Sequence, residues 1–220
     1  MAVNINSKVK SLRRFKEYLR TGAYPFVLEG KEKYFDKLEA ITHTVIDNDI
    51  PAIDNITFES QKKLKKLLLM MASATPFKIN ISDLSRKLQT TQDVLAKYLE
   101  LLNKAGIITF LSKEGIGHTL LRKPDKIYFS NPNLLYALVE KPNPGTLRET
   151  FFLNQLSTGH WVTYPKSGDF LVDNKFTFEV GGKTKTSRQI RSVQNAFLAL
   201  DEMEYGFKNK IPLWLFGFLY

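Results

Sequence analysis

Three carboxylates in residues 145–185 have types and spacing that could do chemistry: Glu149, Asp169 and Glu179. The pattern predicts a helix that carries Glu149, a tight hairpin with Asp169 at its mouth, and a strand that carries Glu179. Carboxylates on such pieces can hold Mg²⁺ or Mn²⁺, and the ion can activate water against a phosphodiester. If the site is catalytic, we expect Asp169 and Glu179 to hold the metal and Glu149 to assist from the helix.

A lysine, Lys183, follows Glu179 at strand spacing. Side chains on a strand alternate faces, so Glu179, Gly181 and Lys183 share one side, and Lys183 lies roughly 7 Å beyond Glu179 at about 3.3 Å per residue. The consecutive glycines Gly181 and Gly182 predict that the strand ends or bends there. Lys183 is therefore the predicted catalytic lysine, and both an active and an inactive site stay open.

Composition excludes several kinds of site. The 220 residues are 43% hydrophobic, which suffices for one large domain or two to three small ones. Without cysteine there is no disulfide, thiolate zinc site or cysteine nucleophile. A formal net charge of +10 favours an anionic partner such as nucleic acid. No apolar run resembles a signal peptide or a spanning helix, so we expect a cytoplasmic protein without a membrane partner.

Residues 1–57 are predicted to form a helical segment. Apolar residues recur at helical spacing over residues 8–20, with basic residues between them, and again over residues 31–48. The basic face of the first helix could contact phosphate, and it could also be the solvated side of a helix that packs through its apolar stripe. Pro51 is predicted to end the second helix.

Residues 58–130 have the order of a winged helix-turn-helix, with three helices followed by two strands. Thr90, with Asp93 three residues later, is predicted to open the third helix. Such a module presents the start of its third helix to the DNA major groove, and it can equally serve protein contacts. The residues predicted to contact nucleic acid here are Thr91, Gln92 and Lys97 on the third helix, and Arg122 and Lys123 on the loop between the strands.

Residues 131–220 complete a predicted α+β fold with an α/β domain that follows a proline-glycine linker at residues 141–145. A helix is predicted over residues 186–200, with Arg188 and Gln189 near its start. The apolar run at residues 211–220 predicts a strand that is buried on both faces and completes the sheet.

The helix and hairpin with a carboxylate on each piece resemble the core of a PD-(D/E)XK nuclease, which has a restriction-endonuclease-like fold around a mixed sheet. On that pattern Glu149, Asp169 and Glu179 match the acidic positions. In that family the lysine of a Glu-x-Lys motif orients the attacking water. Gly181 stands at the position of that lysine here, so Lys183 is an imperfect match for it. The resemblance also implies that Gln189, or a neighbouring basic group such as Arg188, holds the nucleic-acid backbone.

Nearly the whole chain resembles the C-terminal half of a family of bacterial and archaeal AAA-type ATPases, through the segments GAYPF, DNDIPAI, KPDKIYFSNPNLLYAL, GTLRETFFLNQL, GDFLV, FEVGGKTKTSRQI and IPLWLFGFLY. In that family an ATP-binding module precedes a winged helix and a restriction-endonuclease-like domain. This chain has no P-loop, since Thr177 stands where the first glycine before GGKT would be required. The resemblance implies that an N-terminal ATPase module is missing here and is a partner of this region.

Two functions remain open from the sequence. The first is a nucleic-acid-binding C-terminal region of an AAA-type ATPase, with a degenerate nuclease-like domain that binds DNA and either cuts it or does not. The alternative is a protein-interaction or regulatory module without catalytic activity. Carboxylates that converge in an open cleft would favour the first function, and divergent carboxylates the second.

Overall fold

The fold places helices first and a sheet last, in a computed structural model that describes residues 2–73, 80–113 and 124–219. The α-helices of these residues are α1 (Ala2–Asn6), α2 (Ser11–Thr21), α3 (Tyr34–Thr44), α4 (Ile50–Ile53), α5 (Phe58–Ser73), α6 (Ile81–Lys87), α7 (Gln92–Lys104), α8 (Pro132–Leu138) and α9 (Pro144–Leu156). The strands are β1 (Ile108–Leu111), β2 (Lys126–Phe129), β3 (Val162–Thr163), β4 (Phe170–Val172), β5 (Phe176–Gly181), β6 (Ala196–Leu200) and β7 (Lys210–Pro212). The predicted α+β class is confirmed. Among the described residues, no helix is long and apolar enough to cross a membrane.

The first four helices confirm the predicted helical segment, but Pro51 does not end it. Helix α3 continues into a turn of π-helix, Val45–Asp49, and then into α4. Pro51 lies in the first turn of α4, where a missing backbone N–H is tolerated. On α5, Lys65 pairs with Asp47 at 2.6 Å, and Gln61 donates to the Asp47 carbonyl at 3.2 Å. The irregular turn is therefore a docking point for α5.

Three helices, α5 to α7, precede the antiparallel pair β1–β2, in the order that the sequence predicts. The predicted starts of two helices, Ser82 or Asp83 for α6 and Thr90 for α7, are wrong by one to three positions. Asn80 caps α6, and Thr91 rather than Thr90 caps α7, where its hydroxyl accepts a hydrogen bond from the Val94 backbone N–H. The start of α7 is thus fixed by one of the side chains that were predicted to read DNA.

The second sheet has five strands in the order β3-β4-β5-β6-β7. Strands β3, β4 and β5 form an antiparallel meander, β6 runs parallel to β5, and β7 runs parallel to β6. A bridge between Lys113 and Tyr164 joins the chain after β1 to the chain after β3. The β1–β2 pair therefore lies against the edge of the larger sheet, next to the turn that carries Asp169.

The helix predicted over residues 186–200 is wrong. Residues 182–195 form an irregular segment of turns, and the rest is strand β6, which pairs with the full length of β5 from Thr177 to Gly181. Ile190 packs with Leu198 and Leu200 in a small apolar cluster. Ile190 thus anchors the turn segment to strand β6, and the later apolar residues of the pattern belong to that strand.

The strand predicted at residues 211–220 is mostly wrong as well. Strand β7 ends at Pro212, and the next residues form a 3₁₀ helix, Leu213–Phe218. Leu213, Trp214 and Phe216 are buried by that helix rather than by a two-sided strand. Strand β7 is instead an edge strand of the sheet, with Lys210 exposed and Pro212 buried.

Helix α9 lies between the helical part and the sheet and contributes to both. Phe151 meets Phe15 of α2 edge-on, with 4.8 Å between ring centroids. Phe152, the next residue, packs 5.0 Å from Phe170 of β4. Because consecutive residues point in different directions around a helix, α9 joins the two sides into one continuous core. This packing fixes where Glu149, on the same helix, can reach.

Candidate functional site

The structure brings Glu149, Asp169 and Glu179 together with Lys126 and Lys185, and these five residues form the charge cluster. The acids come from α9, from the turn before β4 and from β5, as the sequence predicts. The side chains are 1% to 34% exposed, so the cluster lies mostly below the surface.

Glu149 is held by two side chains of strand β2. The Tyr128 hydroxyl donates to Glu149 Oε2 at 2.7 Å, and Lys126 Nζ lies 3.4 Å from the same oxygen. Lys126 and Tyr128 are two residues apart on a strand, so they face the same side. The Lys126 ammonium also lies over the ring of Tyr164, 5.0 Å from its centroid. The part of the chain before α9 therefore supplies both partners of Glu149.

Asp169 shares Lys126 with Glu149. Lys126 Nζ lies 3.5 Å from Asp169 Oδ1, and the Val180 backbone N–H donates to Asp169 Oδ2 at 2.9 Å. The Asp169 backbone N–H donates to the Phe178 carbonyl at 2.8 Å, so β5 holds the residue through both backbone and side chain. One ammonium group thus lies between two carboxylates.

Glu179 is the most deeply buried acid of the cluster, with 1% of its side chain exposed. Its Oε1 pairs with Lys185 Nζ at 2.9 Å. Its Oε2 is buried and has no hydrogen-bond partner among the described residues. A buried carboxylate that loses its counter-ion is strongly destabilising, so Lys185 is needed to keep Glu179 inside the fold.

Lys185, rather than the predicted Lys183, lies against Glu179. Strand β5 ends at Gly181, and the Lys185 N–H bonds the Gly182 carbonyl at 3.0 Å in the turn that follows. A Cβ at Gly181 would come within 2.6 Å of Lys185 Cβ and Cγ. Gly181 therefore leaves the space that the Lys185 side chain crosses. Lys183 is exposed, and its catalytic role stays a prediction.

A further ion pair lies at the same end of the sheet. Arg148 Nε contacts Asp201 Oδ2 at 2.9 Å, and the Asp201 backbone N–H donates to the Gly181 carbonyl at 2.9 Å. Arg148 precedes Glu149 on α9, and its guanidinium lies 3.2 Å from where a Cβ at Gly182 would be. The pair fastens α9 to the ends of β5 and β6.

Burial and like charge raise the pKa of Glu149. Desolvation is the main cause, and the negative charge of Asp169 adds to it, whereas Lys126 and the Tyr128 hydrogen bond act in the opposite direction. Burial, with the nearby carboxylates, also raises the pKa of Tyr128 far above its ordinary range, so the phenol stays protonated as a donor. Desolvation lowers the pKa of Lys185, but its carboxylate partner and the other acids outweigh that effect, and the pKa is raised.

Glu149→Gln is expected to flatten the pH dependence of stability. Because the pKa of Glu149 is higher in the folded than in the unfolded chain, its stabilising contribution is complete at low pH and is lost as pH rises through the folded pKa. The variant keeps an acceptor for Tyr128 and cannot ionise. Urea unfolding between about pH 4 and pH 8 should show the stability of the variant, relative to the unaltered protein, rising with pH. A constant difference over this range would contradict the expectation.

The carboxylates as arranged do not fit a divalent cation. Across residues 2–73, 80–113 and 124–219, no group of three or more His, Cys, Asp or Glu side chains is placed to hold a metal ion. Lys126 stands between Glu149 and Asp169, and Lys185 neutralises Glu179. The metal-binding role of Asp169 and Glu179 stays a prediction.

The nucleic-acid residues predicted on α7 are engaged within the protein. Thr91 caps the helix, and Gln92 donates to the Ser82 hydroxyl at 3.3 Å. Lys97 pairs with Asp54 at 3.0 Å, although its side chain is half exposed. These contacts hold α7 in place and do not connect it to the charge cluster.

The other predicted nucleic-acid residues are divided between two segments. Arg188 and Gln189 are exposed in the turn segment between β5 and β6, which also carries Lys185. The structure therefore places them on the same irregular segment as Lys185, and not on a helix. Arg122 and Lys123 lie outside the described residues.

Four residues of the site are not predicted from the sequence: the cluster lysines Lys126 and Lys185, the Glu149 partner Tyr128, and the neighbouring Asp201. The alternation of Lys126 and Tyr128 on a strand indicates that they share a face, but not that this face meets α9. Lys185 has a local signal, because it is the second lysine of GGKTK. Once the chain turns at the two glycines, this lysine comes back toward the strand. Asp201 has no comparable signal, because its partner Arg148 is distant in sequence.

Comparisons with known proteins give relatives without an assigned activity. Residues 12–145 match a family model described as a domain of unknown function (DUF8612). The chain is 27% identical over 195 residues to the uncharacterized protein MJ1637 of Methanocaldococcus jannaschii, a match that covers 80% of this chain and 41% of that protein. The chain thus spans about two fifths of the length of this curated relative. No solved structure matches the chain.

Proposed function

We propose that this chain, which belongs to the DUF8612 family, binds the sugar-phosphate backbone of nucleic acid through the segment between β5 and β6. This segment, residues 182–195, is named the basic segment. It contains Lys183, Lys185, Arg188 and Arg191 and no acidic residue. The observation that carries the proposal is that three of these four cations are exposed and have no acidic partner among the described residues.

Lys183, Arg188 and Arg191 are exposed, and none of them forms an ion pair with another residue in the described part of the chain. Some other exposed cations are paired, as Arg14 is with Glu17 and Lys104 is with Glu100. Unpaired cations can neutralise phosphates and release their counter-ions, which supplies the sequence-independent part of nucleic-acid affinity. The basic segment therefore has the chemistry for backbone contacts.

The basic segment is held in shape although it is not helical. Ile190 is 2% exposed and packs with Leu198 and Leu200 of β6. Backbone hydrogen bonds from Ile190 to Ser187 and from Val193 to Ile190 close its turns. A segment that is already ordered loses less conformational entropy on binding.

The turn before β4 lies beside the basic segment. A Cβ at Gly168 would come within 3.1 Å of Ile190 Cγ2, and Gly168 has a φ of 91°, which favours glycine. Lys166, two residues earlier, is exposed and adds a cation to this surface. Hydroxyl and amide groups in the basic segment, among them Thr184, Gln189 and Ser192, can donate to phosphate oxygens.

In this proposal a winged helix makes a second contact with nucleic acid, and α7 is the helix that would contact the base edges. The order of α5, α6, α7 and the β1–β2 pair supports it. Lys97 would have to exchange Asp54 for a phosphate, and Thr91 and Gln92 would have to exchange protein partners for base edges. Those exchanges make α7 a weaker candidate contact than the basic segment, where Lys183, Arg188 and Arg191 form no ion pair within the described residues.

The sheet supports kinship with a PD-(D/E)XK core, since an antiparallel meander is followed by a strand parallel to its last member. The proposed function is binding without cleavage, because every acid of the charge cluster has a lysine partner. The AAA-type ATPase module and the cytoplasmic location stay predictions.

The proposal is tested by neutralising the basic segment. The triple variant Lys183→Gln, Arg188→Gln and Arg191→Gln should bind a fluorescent DNA duplex about 100-fold more weakly than the unaltered chain near 0.1 M salt. The slope of log affinity against log salt should become shallower by about 2.7, at about 0.9 per lost phosphate contact. Anisotropy titrations at several salt concentrations measure both quantities.

A matched triple variant, Arg13→Gln, Arg14→Gln and Lys104→Gln, loses the same charge at paired exposed sites and should change affinity less than about threefold. Equal losses in both triples would mean that net charge alone attracts DNA. No salt-dependent binding by the unaltered chain at low salt would remove the proposal and leave the protein-interaction alternative.

A further inference from the structure

We infer that Lys126 takes the place of a divalent cation in the charge cluster, and that removing its ammonium group converts Glu149 and Asp169 into a metal site. In the unaltered protein the two acids therefore share one internal cation and take up no Mg²⁺ or Mn²⁺. Nucleic-acid binding by the basic segment is a separate property, and neither depends on the other.

Lys126 lies between the carboxylates of Glu149 and Asp169. Its Nζ lies 3.4 Å from Glu149 Oε2 and 3.5 Å from Asp169 Oδ1, so a single cation serves both carboxylates. The Lys126 side chain is 12% exposed, and the Tyr164 ring covers the ammonium from another side. A cation held in this way is a fixed part of the site and excludes a second cation from the same place.

The other hydrogen bonds that Glu149 and Asp169 accept bring no positive charge to these carboxylates. Tyr128 donates to Glu149 and the Val180 N–H donates to Asp169, and both groups are neutral. Glu179 Oε2, in the same cluster, is buried and accepts no hydrogen bond within the described residues. Three acids face two lysines, so the cluster keeps an excess of negative charge and of oxygen acceptors.

Loss of the Lys126 charge leaves Glu149 and Asp169 close together with no cation between them. Two neighbouring buried carboxylates must then take up a proton or another cation. Oxygen ligands of this kind suit Mn²⁺ and Mg²⁺. At neutral pH with Mn²⁺ present, we expect the metal to fill the position.

The experiment measures Mn²⁺ binding to the full chain by electron paramagnetic resonance of the free ion and by calorimetry. Lys126→Ser should bind Mn²⁺ at least about 100-fold more tightly than the unaltered protein. Lys126→Arg, which keeps a cation, should behave like the unaltered protein. Lys126→Ser combined with Asp169→Asn should lose the new site.

Two results would overturn the inference. One is Mn²⁺ binding by the unaltered protein that Asp169→Asn abolishes, because the acids would then hold a metal despite Lys126. The other is a folded Lys126→Ser that binds no Mn²⁺. If Lys126→Ser does not fold, Lys126→Met retains the packing of the aliphatic chain, and Mn²⁺ should raise its melting temperature but not that of Lys126→Arg.

Discussion

Replacing Lys185 by methionine is expected to lower the free energy of unfolding by about 3 kcal/mol at neutral pH, which is the lower end of the range for a broken buried ion pair. The loss arises at Glu179, which is 1% exposed and relies on Lys185 at 2.9 Å. The other carboxylate oxygen has no hydrogen-bond partner in the described structure, so nothing else compensates the charge. Because the Lys185 side chain is 34% exposed, some water can reach the pair, and this moderates the loss.

Urea unfolding of two further variants separates this effect from a general effect of lysine removal. Lys183→Met removes an exposed, unpaired lysine from the same turn segment and should change stability by less than about 0.5 kcal/mol. Lys185→Met combined with Glu179→Gln should recover most of the loss, because the buried charge is removed with its partner. Equal effects of Lys183→Met and Lys185→Met would contradict the assigned pairing.

The difference between Lys183 and Lys185 marks where strand periodicity stops being informative. Alternation places Glu179, Gly181 and Lys183 on one face only while the chain remains extended. Strand β5 ends at Gly181, and the Lys185 N–H then bonds the Gly182 carbonyl. The chain reverses, and Lys185 returns over Gly181. The two glycines predict the end of the strand, but the path after it depends on tertiary contacts.

Periodicity predicts most of the helices and fails at residues 186–200 for a related reason. Ile190, Val193 and Phe197 have helical spacing, yet the run AFLAL at residues 196–200 is also typical of a fully buried strand. In the fold, β6 pairs with β5 on one side and β7 on the other. The hydrogen bonds of a central strand outweigh the local helical pattern.

The charge cluster could be predicted in its acids but not in its cations. Glu149, Asp169 and Glu179 occur in a recognisable order along one stretch of sequence. Lys126 and Tyr128 belong to the predicted winged-helix unit, residues 58–130, and reach Glu149 across the predicted boundary. The contact exists because the β1–β2 pair is joined to the edge of the larger sheet after β3. No local pattern shows that junction.

Asn133→Ala is expected to lower the free energy of unfolding by about 4 kcal/mol, because two buried groups and one partly buried group lose a partner at about 1–3 kcal/mol each. Asn133 is 0% exposed on α8. Its Oδ1 accepts from the Ala23 N–H at 2.8 Å and from the Tyr34 hydroxyl, and its Nδ2 donates to the Leu19 carbonyl at 2.8 Å. The Leu19 carbonyl belongs to the last turn of α2, where intrahelical donors run out. One amide thus joins α2, α3 and α8.

Denaturant unfolding of two comparison variants tests whether hydrogen bonding or lost volume is responsible. Asn133→Asp keeps the shape but cannot donate to the Leu19 carbonyl, and it adds a buried charge, so it should be at least as destabilising near pH 7 as the alanine variant. Asn48→Ala removes an exposed asparagine and should change stability by less than about 0.5 kcal/mol. A loss below about 1 kcal/mol in Asn133→Ala would mean that water replaces the amide, and that the helices before α5 are held to α8 by apolar packing alone.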